Sequence, residues 1–500
     1  MPALPDVLFP RLDFLESARF WAIFHTILWI HRYLRLLVHC VSHWTYKSKL
    51  PNWEKPRYTA DDITVIIPTI HNRPEELRPS LESILACKPA KLILVTTWNK
   101  HEALSRVAAT LRMPDPASPV EIEVLHVDKA NKRLQVCKAL EDDHVRTAIT
   151  VMADDDVEWP PTLIPWLLAP FEDDRIGGVG TCQRVKRVTE GDIMTRIFNW
   201  LGAAYIERRN FEISATHNID GGTSCMSGRT GAYRSEILKS YDFLGSFKNE
   251  KWGRYILNAD DDNFVTRWLV AHRWKTWIQY EPECEIETTL ENSYKFLYQC
   301  SRWARSNWRS NWTSLVVERH VITQQPWCTY ALHIATFTSL AFVVDPLLLF
   351  SCWWGTENWE RKEDRYMLLF AEIAFMFGFT KVVKLVGLFR KNPKDIVFLP
   401  VSILFGYFHG LIKLWALFTL KETSWGSRED GDEHNTFRLQ ATPTPSKSMA
   451  TPSGPDLPST NQKSCRYSQP RRVAMSKVEF AGYTTVPVET PSPKAHLAVY

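Results

Sequence analysis

The chain has 500 residues, room for about three structural units at roughly 150 residues each. Hydrophobic residues make up 45% and charged residues 23%, which excludes wholesale disorder. Lys and Arg number 60 against 56 Asp and Glu, and a net charge of +4 is too even for a dedicated nucleic-acid binder.

Residues 1–55 form an N-terminal membrane segment around the apolar stretch Phe20–Val41, which starts behind Asp6, Asp13 and Glu16 and so predicts no cleavable leader. Arg32, Arg35 and three histidines interrupt the stretch, yet it is long enough to span a bilayer and is read as a span. The ten cysteines are scattered and the closest two, Cys284 and Cys300, are 16 residues apart. Without a C-x-x-C, zinc ribbons and dithiol redox chemistry are disfavoured, and single cysteines point to a reducing compartment.

Residues 56–290 read as a soluble α/β domain. Ile63–Pro68, Lys91–Thr97, Glu121–Val127 and Ala148–Met152 are short runs rich in Val and Ile, separated by the amphipathic segments Pro74–Ala86, His101–Leu111 and Ala130–Val145. Such alternation predicts a mostly parallel sheet, whose ligands bind at the carboxyl ends of the strands.

Residues 291–330 read as interfacial helices. The next unit, 331–430, contains three stretches long enough to cross a membrane: Ala331–Trp353, Tyr366–Phe389 and Ile396–Leu420. Basic residues flank these stretches on the side of the α/β domain, which places that domain in the cytosol and the loop Gly355–Asp364 outside. Asp345 and Glu372 lie at similar depth and are expected to line a polar conduit or to form a structural pair. His409, Gly410 and Lys413 interrupt the last stretch, which is expected to bend near Gly410. The tail, 431–500, is dominated by Pro, Ser and Thr and is expected to be disordered.

Four motifs carry the chemistry. A strand runs into Asp154-Asp155-Asp156, which reads either as a ligand set for a cation or as a solvated acidic turn capping the next helix. Asp260-Asp261-Asp262 precedes an amphipathic helix and could cap it or supply a general base. The glycines of Ser227-Gly-Arg-Thr-Gly-Ala-Tyr-Arg234 permit close approach of a ligand to the backbone. Gln299, Arg302 and Trp303 share one helix face and offer an amide, a guanidinium and an aromatic plate, although an interfacial helix with anchoring side chains would show the same pattern.

In this order before a membrane cluster, D-x-D, S-G-x-x-G-x-Y-R, A-D-D and Q-x-x-R-W resemble the processive family-2 glycosyltransferases. The match is nearest to the fungal type 2 enzymes of the hyaluronan-synthase-like branch and covers about residues 60–430. The resemblance implies a GT-A fold, a UDP-sugar donor, a glycan acceptor and Mg²⁺ or Mn²⁺. It implies metal binding by Asp154 and Asp156, a catalytic base at Asp261 with Asp260 as its neighbour, and nucleotide contacts from Lys132 and Arg133. Gln299, Trp303 and Tyr233 fall to the acceptor, Arg302 and Arg428 to the diphosphate, and Trp425 of Trp425-Gly-Ser-Arg428 to gating. The family's carboxylate after the second strand is missing, since the segment here is Thr96-Thr-Trp-Asn99. The implied product is a β-linked polysaccharide of the cell surface, with a glycolipid or a silent scaffold as alternatives. The implied setting is a multi-pass protein among membrane lipids, at the plasma membrane or in the Golgi or ER, without nucleic acid.

Overall fold

The computed structural model describes residues 17–115, 119–258 and 260–423. The centre of the fold is a sheet of β1 (Ile63–Pro68), β2 (Lys91–Thr97), β3 (Glu121–Val127), β4 (Ile149–Ala153), β5 (Ile176–Thr181), β6 (Thr230–Arg234) and β7 (Lys275–Gln279). Their spatial order is β7-β5-β6-β4-β1-β2-β3, and only the two pairings made by β6 are antiparallel. All four strands expected from the sequence form, the fourth displaced by one residue.

Side chains alternate across this sheet. Ile63, Val65 and Ile67 pack with Leu81, Leu85 and Trp159 on one face. Ile66, Ile93 and Val95 pack with Val136, Phe243 and Leu269 on the other. Burial on both faces explains why the strands read as unbroken apolar runs rather than as alternating ones. β1 pairs with β2 and β4, so the loop after β4 leaves from the middle of the sheet.

Two long helices lie between this domain and the apolar segments. Ile193–Asp220 is capped at its start by Asp192 and ends at Gly221, whose φ of 74° is left-handed and suits glycine. Lys295–Trp312 carries the Q-x-x-R-W residues. The N-terminal helix Ala18–Trp44 docks its carboxyl end on Ile193–Asp220, where Ser42 Oγ donates to the Ala215 carbonyl at 2.8 Å and His43 meets Ser214 at 2.7 Å. At its other end Trp21 packs on Phe350 with ring centres 5.1 Å apart, and a side chain on Gly355 would collide with the Ala22 backbone. Ile23, Ile27, Ile30, Leu34, Leu37 and Val41 form an exposed apolar stripe along this helix, while His25, Trp29 and Arg32 reach inward to Leu348, Glu372 and Asp345.

Among the described residues, Lys362–Lys391 and Pro393–Phe418 are long and apolar enough to cross a bilayer. The pair Pro326–Thr338 and Ala341–Gly355 passes as a third if joined across an 87° bend. This bend corrects the expectation of one straight element over Ala331–Trp353, and it falls where Ser339 and Leu340 leave helical geometry.

The expected bend at Gly410 is also corrected, because the helix Leu399–Phe418 runs through it without a break. The glycine serves packing instead, since a Cβ there would lie 2.7 Å from the Phe342 ring. This helix runs alongside Lys295–Trp312. Phe405 packs on Phe296, Trp308 Nε1 donates to the Lys413 carbonyl at 2.8 Å, and Arg305 Nε donates to Thr419 Oγ1 at 3.0 Å. Both of its ends meet residues outside the apolar segments: Arg187 pairs with Asp395 at 3.0 Å, and Arg309 donates to the carbonyls of Leu420 and Glu422.

Asp345 is a structural pair rather than a conduit residue. It accepts from Arg32 at 3.1 Å and from Tyr407 at 3.0 Å, and Lys381 lies 3.9 Å away. Glu372 accepts from the Trp29 indole at 3.2 Å. Neither carboxylate lines the large cavity described next.

Candidate active site

One cavity of about 600 Å³ opens at the carboxyl end of β4. Asp154, Asp156, Lys132, Asp260, Asp261, Gln299, Arg302 and Trp303 all lie in its wall, so residues spread over 170 positions of sequence converge there.

The loop after β4 divides its three carboxylates by role. Asp155 turns inward and accepts from Thr69 Oγ1 at 2.5 Å, which pins the loop to the end of β1. Asp154 and Asp156 face the cavity. The next helix, Leu163–Leu168, follows Thr162 and takes no side-chain cap, so the acidic triplet is not a cap.

Lys132 opens the helix Lys132–Leu140, which Asn131 caps by accepting from the Leu134 amide at 3.1 Å. The Lys132 ammonium sits 2.8 Å from Asp154 Oδ1 and 2.8 Å from Asp261 Oδ2. Its burial opposes the charge, but the two carboxylates outweigh that and hold its pKa above the usual lysine range. A single cation thus ties the D-x-D loop to the second acidic triplet. Gly228 permits this approach, because a Cβ there would stand 3.2 Å from Lys132 Nζ and 3.7 Å from Asp261 Oδ2.

The second triplet also separates. Asp260 has a left-handed φ of 65° and points away from its neighbours, accepting from Arg309 Nε at 2.8 Å and Nη2 at 3.1 Å and from the Ser306 hydroxyl. Burial would raise its pKa, but the Arg309 guanidinium and Ser306 lower it. Asp262 turns to the Gly228 amide at 3.3 Å. Asp261, first residue of the helix Asp261–Ala271, is left facing the cavity, with Lys132 as its ion-pair partner. The three carboxylates are thus drawn apart by separate partners. Asp260 joins the helices Asp261–Ala271 and Lys295–Trp312 through Arg309 and Ser306.

Gln299, Arg302 and Trp303 line the far wall. The Gln299 Oε1 atom is buried without a hydrogen-bond partner, and Arg302 makes no ion pair among the described residues. Both groups are therefore available to a ligand. Trp303 is held by a stack on Tyr205 at 5.0 Å and by the Arg229 guanidinium 5.5 Å from its ring centre.

Two expected site residues lie elsewhere. Arg133 is buried, donates to the Phe247 carbonyl at 2.9 Å and to Glu250 at 2.5 Å, and packs over the Phe247 and Phe264 rings. It is one position after Lys132 on a helix, about 100° around the axis, and its side chain runs to Phe247 and Glu250 rather than to the cavity. Tyr233 is fully buried on β6, folded back over Gly231 within the apolar layer. Arg229 was missed. It lines the cavity and donates to Gln183 at 3.2 Å and Thr288 at 3.2 Å, and burial lowers its pKa. Its position between the glycines of the S-G-R-T-G segment was the available signal. Trp425 and Arg428 lie outside the described residues. Where the family's second-strand carboxylate is missing, Thr97 Oγ1 donates to Asn99 Oδ1 at 2.6 Å.

No three His, Cys, Asp or Glu side chains converge as a metal cage among the described residues. Asp154 and Asp156 turn carboxylate oxygens to the cavity, and two such hard donors fit Mg²⁺ or Mn²⁺ sites of the kind completed by phosphate and water.

Residues 60–306 match the glycosyltransferase-like family 2. The chain is 63% identical over 492 residues to a type 2 glycosyltransferase of Gibberella zeae, covering 97% of this chain and 92% of that one. Human hyaluronan synthase 3 is a distant relative, 24% identical over 284 residues, 56% of this chain and 47% of its own. Among solved structures, the Pyrobaculum calidifontis mannosyltransferase PcManGT, in complex with GDP-Man and Mn²⁺, superposes with a TM-score of 0.50 over 82% of this chain and 100% of that chain at 15% identity, a likeness of fold. The GT-A-like sheet, the converging carboxylates and this kinship agree: the chain belongs to the family-2 glycosyltransferases.

Proposed function

We propose that the protein is a membrane-embedded, inverting transferase that moves a sugar from a UDP-sugar to a growing β-linked glycan. The observation that carries this reading is the convergence of Asp154, Lys132 and Asp261 in one cavity that also holds Gln299, Arg302 and Trp303.

Asp261 accepts the proton of the acceptor hydroxyl as that oxygen bonds to the anomeric carbon of the donor. The bond from the anomeric carbon to the diphosphate oxygen breaks on the opposite side, and UDP leaves with the electron pair. One displacement inverts the configuration. Arg302 and Lys132 oppose the charge growing on the diphosphate. A Mg²⁺ or Mn²⁺ ion held by Asp154 and Asp156 would supply Lewis-acid neutralisation of that charge. Trp303 and Gln299 orient the acceptor end.

The helix ends support the following topology. The N-terminal helix, the bent pair and Lys362–Lys391 carry the chain between the catalytic side and the far side of the bilayer, while Pro393–Phe418 stays beside Lys295–Trp312. The sheet domain then faces the cytosol, at the plasma membrane or in the Golgi or ER, and the product serves the cell surface.

Incorporation of label from a panel of UDP-sugars into purified membranes, followed by product sizing, tests this reading. A metal-dependent polymer is expected. A single-sugar glycolipid would replace the polymer reading, and the absence of transfer from every donor would overturn the transferase reading.

A further inference from the structure

Arg229 takes no part in making or breaking bonds, yet it touches both halves of the site. It stands between the glycines of Ser227-Gly-Arg-Thr-Gly231, immediately before β6, and is buried in the cavity wall. Its backbone serves the donor half. The Arg229 carbonyl accepts from the Asp154 amide at 3.1 Å, which fixes the first carboxylate of the D-x-D loop to the start of β6.

Its side chain serves the acceptor half. The guanidinium carbon lies over the Trp303 ring, 5.5 Å from its centre, within range for attraction between a cation and a π-face. A cation orients a ring only if it is itself fixed. Arg229 Nε donates to Thr288 Oγ1 at 3.2 Å, and Nη1 donates to Gln183 Oε1 at 3.2 Å and to Ser227 Oγ at 3.4 Å. Thr288 and Gln183 belong to a small sheet of Val157–Glu158, Ile286–Thr288 and Gln183–Val185. Gln183 is locked in turn, since its amide and carbonyl exchange hydrogen bonds with the Asn210 side chain at 3.3 and 2.7 Å. Just after the same sheet, Thr289 Oγ1 donates to Asp156 Oδ2 at 3.4 Å.

The three oxygens that hold the fork are neutral, so they set its direction without cancelling its charge. The charge is left to act on the Trp303 ring and on the carboxylates of Asp156 and Asp154. A residue that only filled space would need neither a planar fork nor a charge at this buried point.

We propose that Arg229 is a positioning residue that sets the gap between donor and acceptor: its carbonyl fixes Asp154, its guanidinium fixes Trp303, and the attacking hydroxyl is thereby held in line with the anomeric carbon. The proposal rests on the transferase reading, in which Asp154 belongs to the donor side and Trp303 to the acceptor end. Attack in line tolerates little error, and a misplacement of about 1 Å can cost about 10²-fold in rate. Water is small and needs no aromatic plate to reach the anomeric carbon, so donor hydrolysis does not depend on Trp303. Loss of the guanidinium therefore separates transfer from hydrolysis.

Three measurements on the full-length protein in detergent test this. They are calorimetric binding of UDP with Mn²⁺, release of UDP from a UDP-sugar with and without a glycan acceptor, and the ¹⁹F spectrum of protein labelled with 5-fluorotryptophan. In the last, Trp303 is identified by the resonance lost in Trp303→Phe. Arg229→Met is expected to lower transfer about 10–100-fold while UDP affinity and acceptor-free hydrolysis stay within about threefold. The Trp303 resonance should shift and broaden. Arg229→Lys, which returns a cation without the fork, should recover part of the transfer and part of the resonance. Thr288→Val removes one anchor at nearly constant shape and should give a smaller change in the same direction, which keeps the comparison open if Arg229→Met fails to fold. Equal losses of hydrolysis and transfer, or a loss of UDP affinity that matches the loss of transfer, would make Arg229 a donor contact or a support and overturn the proposal. An unmoved Trp303 resonance in the Arg229 variants would overturn it as well. A wild-type protein that releases UDP from no donor would remove the transferase reading, while the resonance would still decide whether Arg229 holds the ring.

Discussion

The sheet domain and the helical bundle beside it are built with opposite polarity. In the sheet domain Ile63, Val65, Ile67 and their partners fill the interior. On the N-terminal helix the apolar side chains Ile23, Ile27, Ile30, Leu34, Leu37 and Val41 point outward, and Arg32 and Trp29 reach inward to carboxylates. The solvent accounts for the reversal, since water drives apolar groups in, whereas a hydrocarbon surrounding removes that drive and leaves polar groups to find each other. Charge follows a rule common to both regions. Asp260 is matched by Arg309 and Asp345 by Arg32, because a buried charge must have a partner whichever solvent lies outside. The regions differ in the charge they turn to the cavity, which is carboxylate around Asp154, Asp156 and Asp261 at the sheet and cationic in the bundle.

Substitutions can break or sharpen this contrast. The largest effect should come from the sheet's side, where Asp261→Asn removes the base and is expected to lower transfer by about 10²–10⁴-fold, with UDP binding nearly intact by calorimetry. Wild-type turnover would remove the assignment. On the bundle's side, Asp345→Leu strands Arg32 and Lys381 and should cost about 3–5 kcal/mol, read as a lower thermal midpoint in detergent. Adding Arg32→Met and Lys381→Met should recover most of that loss. Asp260→Asn, which strands Arg309, should cost a similar amount, and a much smaller loss would show that the shared rule fails at the sheet.

Acid should separate the regions further. His217, on the helix docked against the sheet domain, is held neutral by burial, its pKa lowered to about 4. The unfolded chain binds this proton near the ordinary value of about 6.5, so native stability is full above that pH and falls as pH drops from about 6.5 towards 4, by about 3 kcal/mol in all. Thermal midpoints at pH 7 and 5 should differ in the wild type, and the difference should narrow in His217→Phe, with His43 and His333 keeping part of it. The smallest effect belongs to the cap at Asn131. Asn131→Ala should cost about 1 kcal/mol and loosen Lys132 between its two carboxylates, seen as a raised KM for the donor.

Much of this was legible in the residues. β1, β2 and β4 announced themselves because each is buried on both faces, and the Asp154 and Asp261 motifs stood at element ends where ligands bind. What escaped depended on distance in sequence. Lys132 and Arg133 are equivalent as letters, and only the angle between consecutive helical positions sends one to the cavity and the other to Glu250. Asp260 and Asp261 were separated by Arg309, a residue 49 positions away. Gly410 has the composition of a break, and only the position of Phe342 shows that it is a contact. The cations that the bundle turns to the cavity were invisible as a group because they come from four helices, each of which carries only one or two.

Arg309 has a mechanical consequence. Its guanidinium grips Asp260 with two nitrogens and reaches the Leu420 and Glu422 carbonyls with the third, so one planar group pins the start of the helix Asp261–Ala271 to the chain just after the helix Leu399–Phe418. A pull on the chain at Thr423 is thereby delivered to the backbone next to Asp261. Strain at one end of this link would therefore be felt at the other.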